Sequence, residues 1–122
     1  MKIRIEDNSV RLRLKRSEVD QLAANGSLKS STRFPENTFE YAVESSPDVT
    51  DLQAAYSKGC ITVKVPEQWI RNWPDSPKVG FGSQIELGGA VLDILVEKDF
   101  VCLDRNLADQ TDQYPNPKQD AL

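Results

Sequence analysis

The sequence predicts an α+β domain, mainly antiparallel β-sheet with two short helices, and three observations carry that prediction. Apolar and polar residues alternate in many short runs, which is the two-residue period of strands with one buried face. Turn-forming residues separate these runs at short intervals. Two segments combine helix start and stop signals with apolar residues at helical spacing. The alternative is an all-β sandwich or barrel in which both helices decorate loops.

Length and composition favour one folded unit. The chain has 122 residues, of which 39% are hydrophobic and 28% are charged, as in ordinary globular domains. We place the globular domain at residues 1–103 and a polar C-terminal tail at residues 104–122, because large apolar residues become rare beyond residue 103. The strand spacing shows no repeat of the kind that marks a solenoid or propeller.

The net charge and the cysteine content limit which compartments and partners we expect. The net charge of −4 argues against nonspecific nucleic-acid binding, which needs a basic surface. Residues 1–7 alternate apolar with charged, and no segment has the ~20 apolar residues that cross a bilayer, so we expect a cytoplasmic protein with no membrane contact. Cys60 and Cys102 lie in apolar runs and are predicted to be free thiols.

The first third of the chain predicts a hairpin followed by a helix. Residues 2–6 and 10–15 alternate apolar with charged, and the turn formers of residues 7–9 separate them. Ser17 then offers a capping hydroxyl before a short apolar stripe, and Gly26 offers a left-handed stop. We therefore expect about two turns of helix between these two residues.

The middle of the chain predicts two further hairpins. Residues 28–34 and 38–44 read as two strands around a proline-containing turn. Residues 52–56 and 60–65 read as the next pair, although residues 51–55 contain good helix formers and a helical turn is the alternative there.

A second short helix is predicted at residues 66–73, because Pro66 suits a first helical turn and Pro74 stops the segment. It places Trp69 and Trp73 four residues apart. We interpret both as core residues that cover the sheet, and an exposed aromatic platform for a ligand is the alternative.

The last part of the domain predicts three strand-like runs at residues 79–81, 84–87 and 90–103, the final one long and apolar enough to be central. Gly82-Ser83 and Gly88-Gly89 separate them and are interpreted as turns rather than phosphate loops, because a strand follows each pair where a phosphate loop would lead into a helix.

Several motifs, taken together and in order, resemble a family of small bacterial proteins known only as a domain of unknown function. The resemblance implies a bacterial source and a protein that stands alone, and it brings no activity, substrate or catalytic residue. The motifs that carry it are residues 2–5, 8–14, 17–19, 61–66, 96–103 and 114–117.

The residue inventory offers little for catalysis or metal binding. Histidine is absent, which removes the commonest general base and metal ligand, and no calcium-binding loop is present. We therefore expect no metal and no cofactor. Cys102 as a nucleophile activated by Lys98 is the sharpest enzymatic idea, but a regular strand would separate the two residues by about 13 Å.

The basic hairpin is the surface that the sequence singles out. In register, its positive side chains share an outward face, where like charges repel one another. Either Asp93, Glu97 or Asp99 neutralises them, which is the interpretation we favour, or an external anion does: a phosphate, a nucleic acid or an acidic partner. The positive residues are Lys2, Arg4, Arg11, Arg13 and Lys15.

The tail carries a second candidate for docking. By composition it is a solvated end. As a functional segment, Tyr114 is an aromatic anchor in a stretch stiffened by Pro115 and Pro117, with Asn116 between them, and such a segment can dock in a groove of its own domain or of a partner.

These features favour a non-catalytic cytoplasmic module that binds a protein partner or a small anion. The alternative is an enzyme of unknown class whose site the sequence does not announce, with Cys102 and Lys98 as its candidate residues.

Overall fold

The computed structural model describes residues 1–100 and 111–115. It contains two α-helices, α1 (Arg16–Asn25) and α2 (Glu67–Arg71), and a 3₁₀ turn at Trp73–Asp75. No helix in this part of the chain has the length and apolar character needed to cross a bilayer. The strands are β1 (Lys2–Glu6), β2 (Ser9–Leu14), β3 (Ser27–Arg33), β4 (Thr38–Ser46), β5 (Gln53–Ser57), β6 (Cys60–Pro66), β7 (Gly80–Glu86) and β8 (Val91–Lys98).

The strands form two four-stranded sheets, with orders β1-β2-β8-β7 and β3-β4-β6-β5. Each sheet consists of two antiparallel hairpins whose second strands pair in parallel, β2 with β8 and β4 with β6. The α+β fold with mainly antiparallel pairing is therefore confirmed, and each sheet is mixed because of its central parallel pair.

Helix α1 lies where the sequence predicts it, but its N-terminal cap differs. Lys15 is the cap residue, and its backbone N–H donates to Oε1 of Glu18 at 2.9 Å. Ser17 lies inside the helix and does not cap it, because its hydroxyl and its backbone N–H both donate to the Asp112 carboxylate. Gly26 ends the helix in the left-handed conformation, with φ of 81°, as expected.

The later strands correct two local expectations. The helical alternative for residues 51–55 is wrong, because β5 pairs with β6 across a turn at Lys58 and Gly59, whose φ angles are both positive. Gly82 and Ser83 do not form a turn but pair with Leu95 and Ile94 inside the continuous strand β7. The predicted turn at Gly88-Gly89 is confirmed, as is the central position of β8 between β2 and β7.

The chain order hairpin, helix, hairpin occurs twice. The first unit is β1-β2-α1-β3-β4 and the second is β5-β6-α2-β7-β8, and each unit contributes one hairpin to each sheet. Strand β5, which begins at Gln53, is the counterpart of β1, which begins at Lys2. Strand β7, which begins at Gly80, is likewise the counterpart of β3, which begins at Ser27. The fold therefore contains two units with the same order of elements, and each unit contributes a hairpin to both sheets.

The core residues obey the same correspondence between the units. Through the first hairpin and the helix, each buried residue of the first unit lies at one constant sequence distance from its buried counterpart in the second unit. In the hairpin that follows, this sequence distance is again constant but slightly larger. The two units share apolar character at these positions rather than residue identity, so together they close one core. The pairs are Leu12 and Val63, Leu14 and Val65, Val19 and Ile70, Leu22 and Trp73, Leu28 and Phe81, Tyr41 and Ile94, and Val43 and Val96.

Candidate functional site

The structure places four of the five basic hairpin residues on one face, with Lys2 opposite Arg13 and Arg4 opposite Arg11. Nε of Arg13 lies 2.9 Å from Oε1 of Glu97, and Nε of Arg11 lies 3.4 Å from the same oxygen. Two guanidinium groups therefore share one carboxylate on the neighbouring strand β8.

Lys2 and Arg4 also form ion pairs. Nζ of Lys2 lies 3.0 Å from Oδ2 of the buried Asp99, and Arg4 pairs with Glu6 at 3.1 Å. Lys15 caps α1 and so lies beyond the hairpin. Of the three carboxylates proposed as counter-charges, Glu97 and Asp99 form ion pairs with the hairpin.

The described part of the tail packs against the domain. Tyr114 is buried, forms a bridge with Phe100, and has the Arg16 guanidinium 5.1 Å and the Lys98 ammonium 4.7 Å from its ring centroid. The Asp112 carboxylate accepts the hydrogen bonds of Ser17 described above. Pro115 is the last described residue of this segment, and the predicted docking residues Asn116 and Pro117 lie outside the described residues.

Lys98 is a buried amine beneath this segment. Its Nζ donates to the backbone oxygen of Ser76 at 2.5 Å and lies 5.9 Å from the Trp73 ring. Burial, and secondly the charge of Arg16, holds the pKa of Lys98 below its usual range. Cys102, its proposed partner, lies outside the described residues. Of the two cysteines predicted to be free thiols, Cys60 is a free thiol in the structure.

The two tryptophans have different environments. Trp73 is fully buried, so the interpretation as a core residue is confirmed for it. Trp69 is 36% exposed, so that interpretation is wrong for Trp69. Both rings contact Phe81, but α2 ends at Arg71 and Trp73 lies in a separate 3₁₀ turn, and only Trp73 is fully buried.

Trp69 forms one wall of a cleft between α2 and β7, which we call the aromatic cleft. The Trp69 ring stacks on Phe81 with centroids 5.3 Å apart and planes inclined by 23°, and the Trp73 ring centroid lies 5.0 Å from that of Phe81. The cleft has a volume of about 360 Å³. Its remaining lining is polar or backbone, from Gln68, Asn72, Ser76, Lys78, Gly80 and Gly82.

The loop that carries Lys78 is held by four hydrogen bonds. Nε1 of Trp73 donates to the backbone oxygen of Lys78 at 2.9 Å, and the N–H of Ser76 donates to the oxygen of Trp73 at 3.1 Å. The N–H of Lys78 donates to Oγ of Ser76 at 3.1 Å, and Nζ of Lys98 donates to the backbone oxygen of Ser76. The Lys78 ammonium lies 5.4 Å from the Phe81 ring centroid, so the cleft combines an aromatic surface with one positive charge on an anchored loop.

The equivalent positions in the first unit are not aromatic. By the correspondence between the units, the positions of Trp69, Trp73 and Phe81 match those of Glu18, Leu22 and Leu28. Glu18 accepts hydrogen bonds from the Met1 amino group and from the start of α1, which is a structural role. The two units therefore share a core but differ at this position, where only the second presents aromatic residues.

Sequence reasoning named Trp69 and missed Phe81 and Lys78. Both lie in a segment that reads as an ordinary loop and strand, and only the strand pairing brings Phe81 against α2. Superposing the two halves of the chain at the offsets of the repeat would have shown the aromatic residues of the second half against a glutamate and two leucines in the first.

Within residues 1–100 and 111–115, no three side chains of the usual metal-binding types converge. The described residues that line the cleft include no carboxylate, histidine or cysteine.

Comparison with known proteins adds the family. A family model described as a family of unknown function (DUF7009) matches residues 1–118. No curated protein matches the chain, and no solved structure matches it.

Proposed function

The chain belongs to DUF7009, a family of unknown function, and from the geometry of the aromatic cleft we propose that it is a non-catalytic binding module. The single observation that carries the proposal is the partly exposed Trp69 ring, stacked on Phe81 beside the anchored Lys78.

The shape and rigidity of the cleft support this function. Small-molecule and side-chain sites are concave and aromatic, with a few fixed polar groups that orient the ligand. Here the buried Trp73 and Phe81 form the floor, and hydrogen bonds hold residues 73–78 before any ligand arrives. A site ordered in advance loses less conformational entropy on binding, so more of its contact energy becomes affinity.

The chemistry of the lining defines the class of ligand. The exposed face of Trp69 suits a flat ring or an apolar side chain, and an offset aromatic pair contributes about 0.5–1.5 kcal/mol beyond the area it buries. Among the described residues that line the cleft, Lys78 is the one that carries a charge. We therefore propose a ligand with a flat apolar group and a negative charge beside it.

The basic hairpin is the weaker candidate. An anion there would compete with Glu97, which already pairs with Arg11 and Arg13. Exposed ion pairs contribute little to stability, so they do not by themselves identify a site. Within the proposal, the hairpin is a structural surface.

The proposal extends to the partner and the compartment. We propose a protein partner, encountered in the cytoplasm of a bacterial cell. The free thiol of Cys60, which lies 3.7 Å from Oγ1 of Thr62, accords with a reducing compartment.

The test is a titration of the full chain with 1-naphthalenesulfonate, a flat aromatic anion, followed by NMR. Each tryptophan contributes one indole N–H signal, and the variant Trp69→Phe assigns them. We expect a saturable shift of the Trp69 signal, a loss of affinity of at least about tenfold in Trp69→Ala, and a smaller, salt-dependent loss in Lys78→Ala.

The matched control is Tyr56→Ala, because Tyr56 is an aromatic residue that is 68% exposed outside the cleft. This variant should bind the probe like the parent chain. Affinity that falls in Tyr56→Ala as much as in Trp69→Ala would show nonspecific adsorption. Affinity that depends on Arg11 and Arg13 instead would move the site to the basic hairpin.

A further inference from the structure

Strand β7 forms an edge of the first sheet, directly beside the aromatic cleft. In the described part of the chain it pairs with β8 alone. Gly80 and Gly82 belong to β7 and also line the cleft. The open edge of the strand and the cleft therefore form one continuous surface.

The register shows which backbone groups of β7 point outward. The N–H of Lys98 donates to the oxygen of Val79, and the N–H of Leu87 donates to the oxygen of Ala90. Both bonds involve odd-numbered residues on the β7 side, and bonding alternates along an antiparallel pair. The N–H and C=O groups of the even-numbered residues, among them Gly82 and Gln84, therefore face the open edge.

Strand β7 lacks the basic residues and the proline that often protect an edge strand, and its charged residue is Glu86 at its C-terminal end. Edge strands are commonly blocked by lysine, proline or a bulge. Strand β7 contains neither lysine, arginine nor proline, and it pairs with β8 without interruption. The topologically equivalent edge, β3, carries Lys29 and Arg33.

Gly82 has no explanation inside the domain. At Gly80 a Cβ would lie 2.4 Å from the backbone oxygen of Val96, so packing requires glycine there. At Gly82 the nearest atom, Cδ1 of Leu95, would lie at 3.5 Å, an ordinary contact, and the backbone does not have a positive φ. A glycine inside a strand weakens it and often marks the close approach of another backbone.

We propose that the open edge of β7 binds an extended, acidic segment of a partner protein as a fifth strand of the first sheet. The inference rests on the proposed function, because one apolar or aromatic side chain of the segment enters the aromatic cleft. Charge complementarity places an acidic residue of the segment at the cleft end of the strand, since Lys78 precedes β7 and is the charged residue among the described residues that line the cleft, whereas Glu86 lies at the other end of β7. Main-chain hydrogen bonds supply affinity in this mode of recognition, and the cleft supplies specificity.

The test begins with selection from a display library of short random peptides against the full chain. We expect the selected peptides to combine an aromatic residue with a neighbouring aspartate or glutamate. The variant Gln84→Pro removes an outward N–H without removing a bond to β8, and proline is tolerated at such edge positions. It should weaken peptide binding by at least about tenfold, as should Trp69→Ala.

The internal repeat offers a matched control. Ser31 in β3 is the counterpart of Gln84 in β7 by the correspondence between the units. In β3 the even-numbered residues form the hydrogen bonds to β4. This follows from two bonds that flank the strand, from the N–H of Phe34 to the oxygen of Asn37 and from the N–H of Ser45 to the oxygen of Gly26. The N–H of the odd-numbered Ser31 therefore also faces outward. The variant Ser31→Pro should bind the peptides like the parent chain. Circular dichroism of both proline variants checks that they fold.

Hydrogen exchange provides an independent measurement on the unmodified chain. A bound strand should slow exchange of the Gly82 and Gln84 amide protons, while the amide proton of Ser31 should exchange as before. Unchanged exchange at Gly82 and Gln84 with a bound peptide would overturn strand addition.

The remaining outcomes separate this inference from the proposed function. Peptides that require Trp69 but tolerate Gln84→Pro would overturn strand addition and leave the cleft as a binding site. Equal losses in Gln84→Pro and Ser31→Pro, or the recovery of no peptide, would overturn the inference, whereas the naphthalenesulfonate titration would still decide the proposed function.

Discussion

Replacing Trp73 with alanine should destabilise the domain far more than replacing Trp69 with alanine. Trp73 is fully buried against Phe81, and its indole N–H donates to the Lys78 oxygen. Trp69 stacks on the same Phe81 ring but stays 36% exposed, so water already contacts part of its side chain.

The expected magnitudes follow from burial. A buried aromatic side chain removes about 150–250 Å² from water, which at about 25 cal/mol per Å² corresponds to ~4–6 kcal/mol. Measured truncations of core aromatics cost about 3–5 kcal/mol, and the lost hydrogen bond adds about 1 kcal/mol. For Trp69 we expect about 1–2 kcal/mol, because solvent fills the space that its removal leaves at the surface.

The assay is urea unfolding of the parent chain and the two variants. With a slope of about 1–3 kcal/mol per M urea, Trp73→Ala should lower the midpoint by about 2 M, and Trp69→Ala by less than about 1 M. Since small domains are stable by only about 5–15 kcal/mol, Trp73→Phe provides a milder variant in case the alanine variant does not fold. It loses the N–H donor and part of the ring, for about 1–2 kcal/mol.

Two results would refute this reasoning. A midpoint that falls as far in Trp69→Ala as in Trp73→Ala would show that Trp69 belongs to the core rather than to a cleft wall. An unchanged midpoint in Trp73→Ala would show that the packing around Phe81 is wrong.

Three further predictions concern other parts of the molecule. The double variant Arg11→Ala, Arg13→Ala should lower the free energy of unfolding in low salt by about 0–1 kcal/mol for each pair, seen as a small fall in the urea midpoint, because their shared carboxylate loses its partners. A more stable variant would favour an anion-binding surface. Gly80→Ala should cost about 1–3 kcal/mol in thermal unfolding, because its Cβ would meet a backbone oxygen, whereas Gly82→Ala should stay within about 0.5 kcal/mol; equal effects would contradict the strand geometry. The pKa of Lys98 in the folded chain lies below the ordinary value of 10.5. At a pH between these two pKa values the unfolded chain binds more protons than the folded chain, so the free energy of unfolding should rise with pH in that range. The variant Lys98→Met should remove that rise.

Much of the fold follows from local patterns in the sequence. Alternating apolar residues and turn formers locate the hairpins β1-β2, β3-β4 and β5-β6, and Gly26 locates the end of α1. These signals are readable because period and turn chemistry act between near neighbours in the chain. The prediction of a turn at Gly82 and Ser83 is wrong because glycine has the same local signature in a turn and inside a strand.

The long-range arrangement could not be predicted in the same way. The parallel pairs β2-β8 and β4-β6 join hairpins from different parts of the chain, and no local pattern encodes such a pairing. The repeat itself was readable in principle, since Leu12 and Leu14 recur as Val63 and Val65. The units share only apolar character at these positions, so the signal appears when burial is known.

The candidate site could be predicted only in part, because it too depends on long-range contacts that local patterns do not encode. The sequence presents Trp69 and Trp73 as one buried pair, whereas in the structure only Trp73, in the 3₁₀ turn beyond the end of α2, is fully buried. The positive charges of the hairpin were visible, but their shared partner Glu97 depends on the pairing of β2 with β8. Local chemistry was therefore readable, whereas the counter-charge and the cleft floor required the tertiary structure.

The most direct measurement of the central claim is the intermolecular nuclear Overhauser effect between 1-naphthalenesulfonate and the full chain. If the aromatic cleft is the binding site, the probe's ring protons should show cross-peaks to the Trp69 indole and to the Lys78 side chain, which line one cleft. Cross-peaks to the side chains of Arg11 and Arg13 with none to Trp69 would contradict the account and place ligand binding on the basic hairpin.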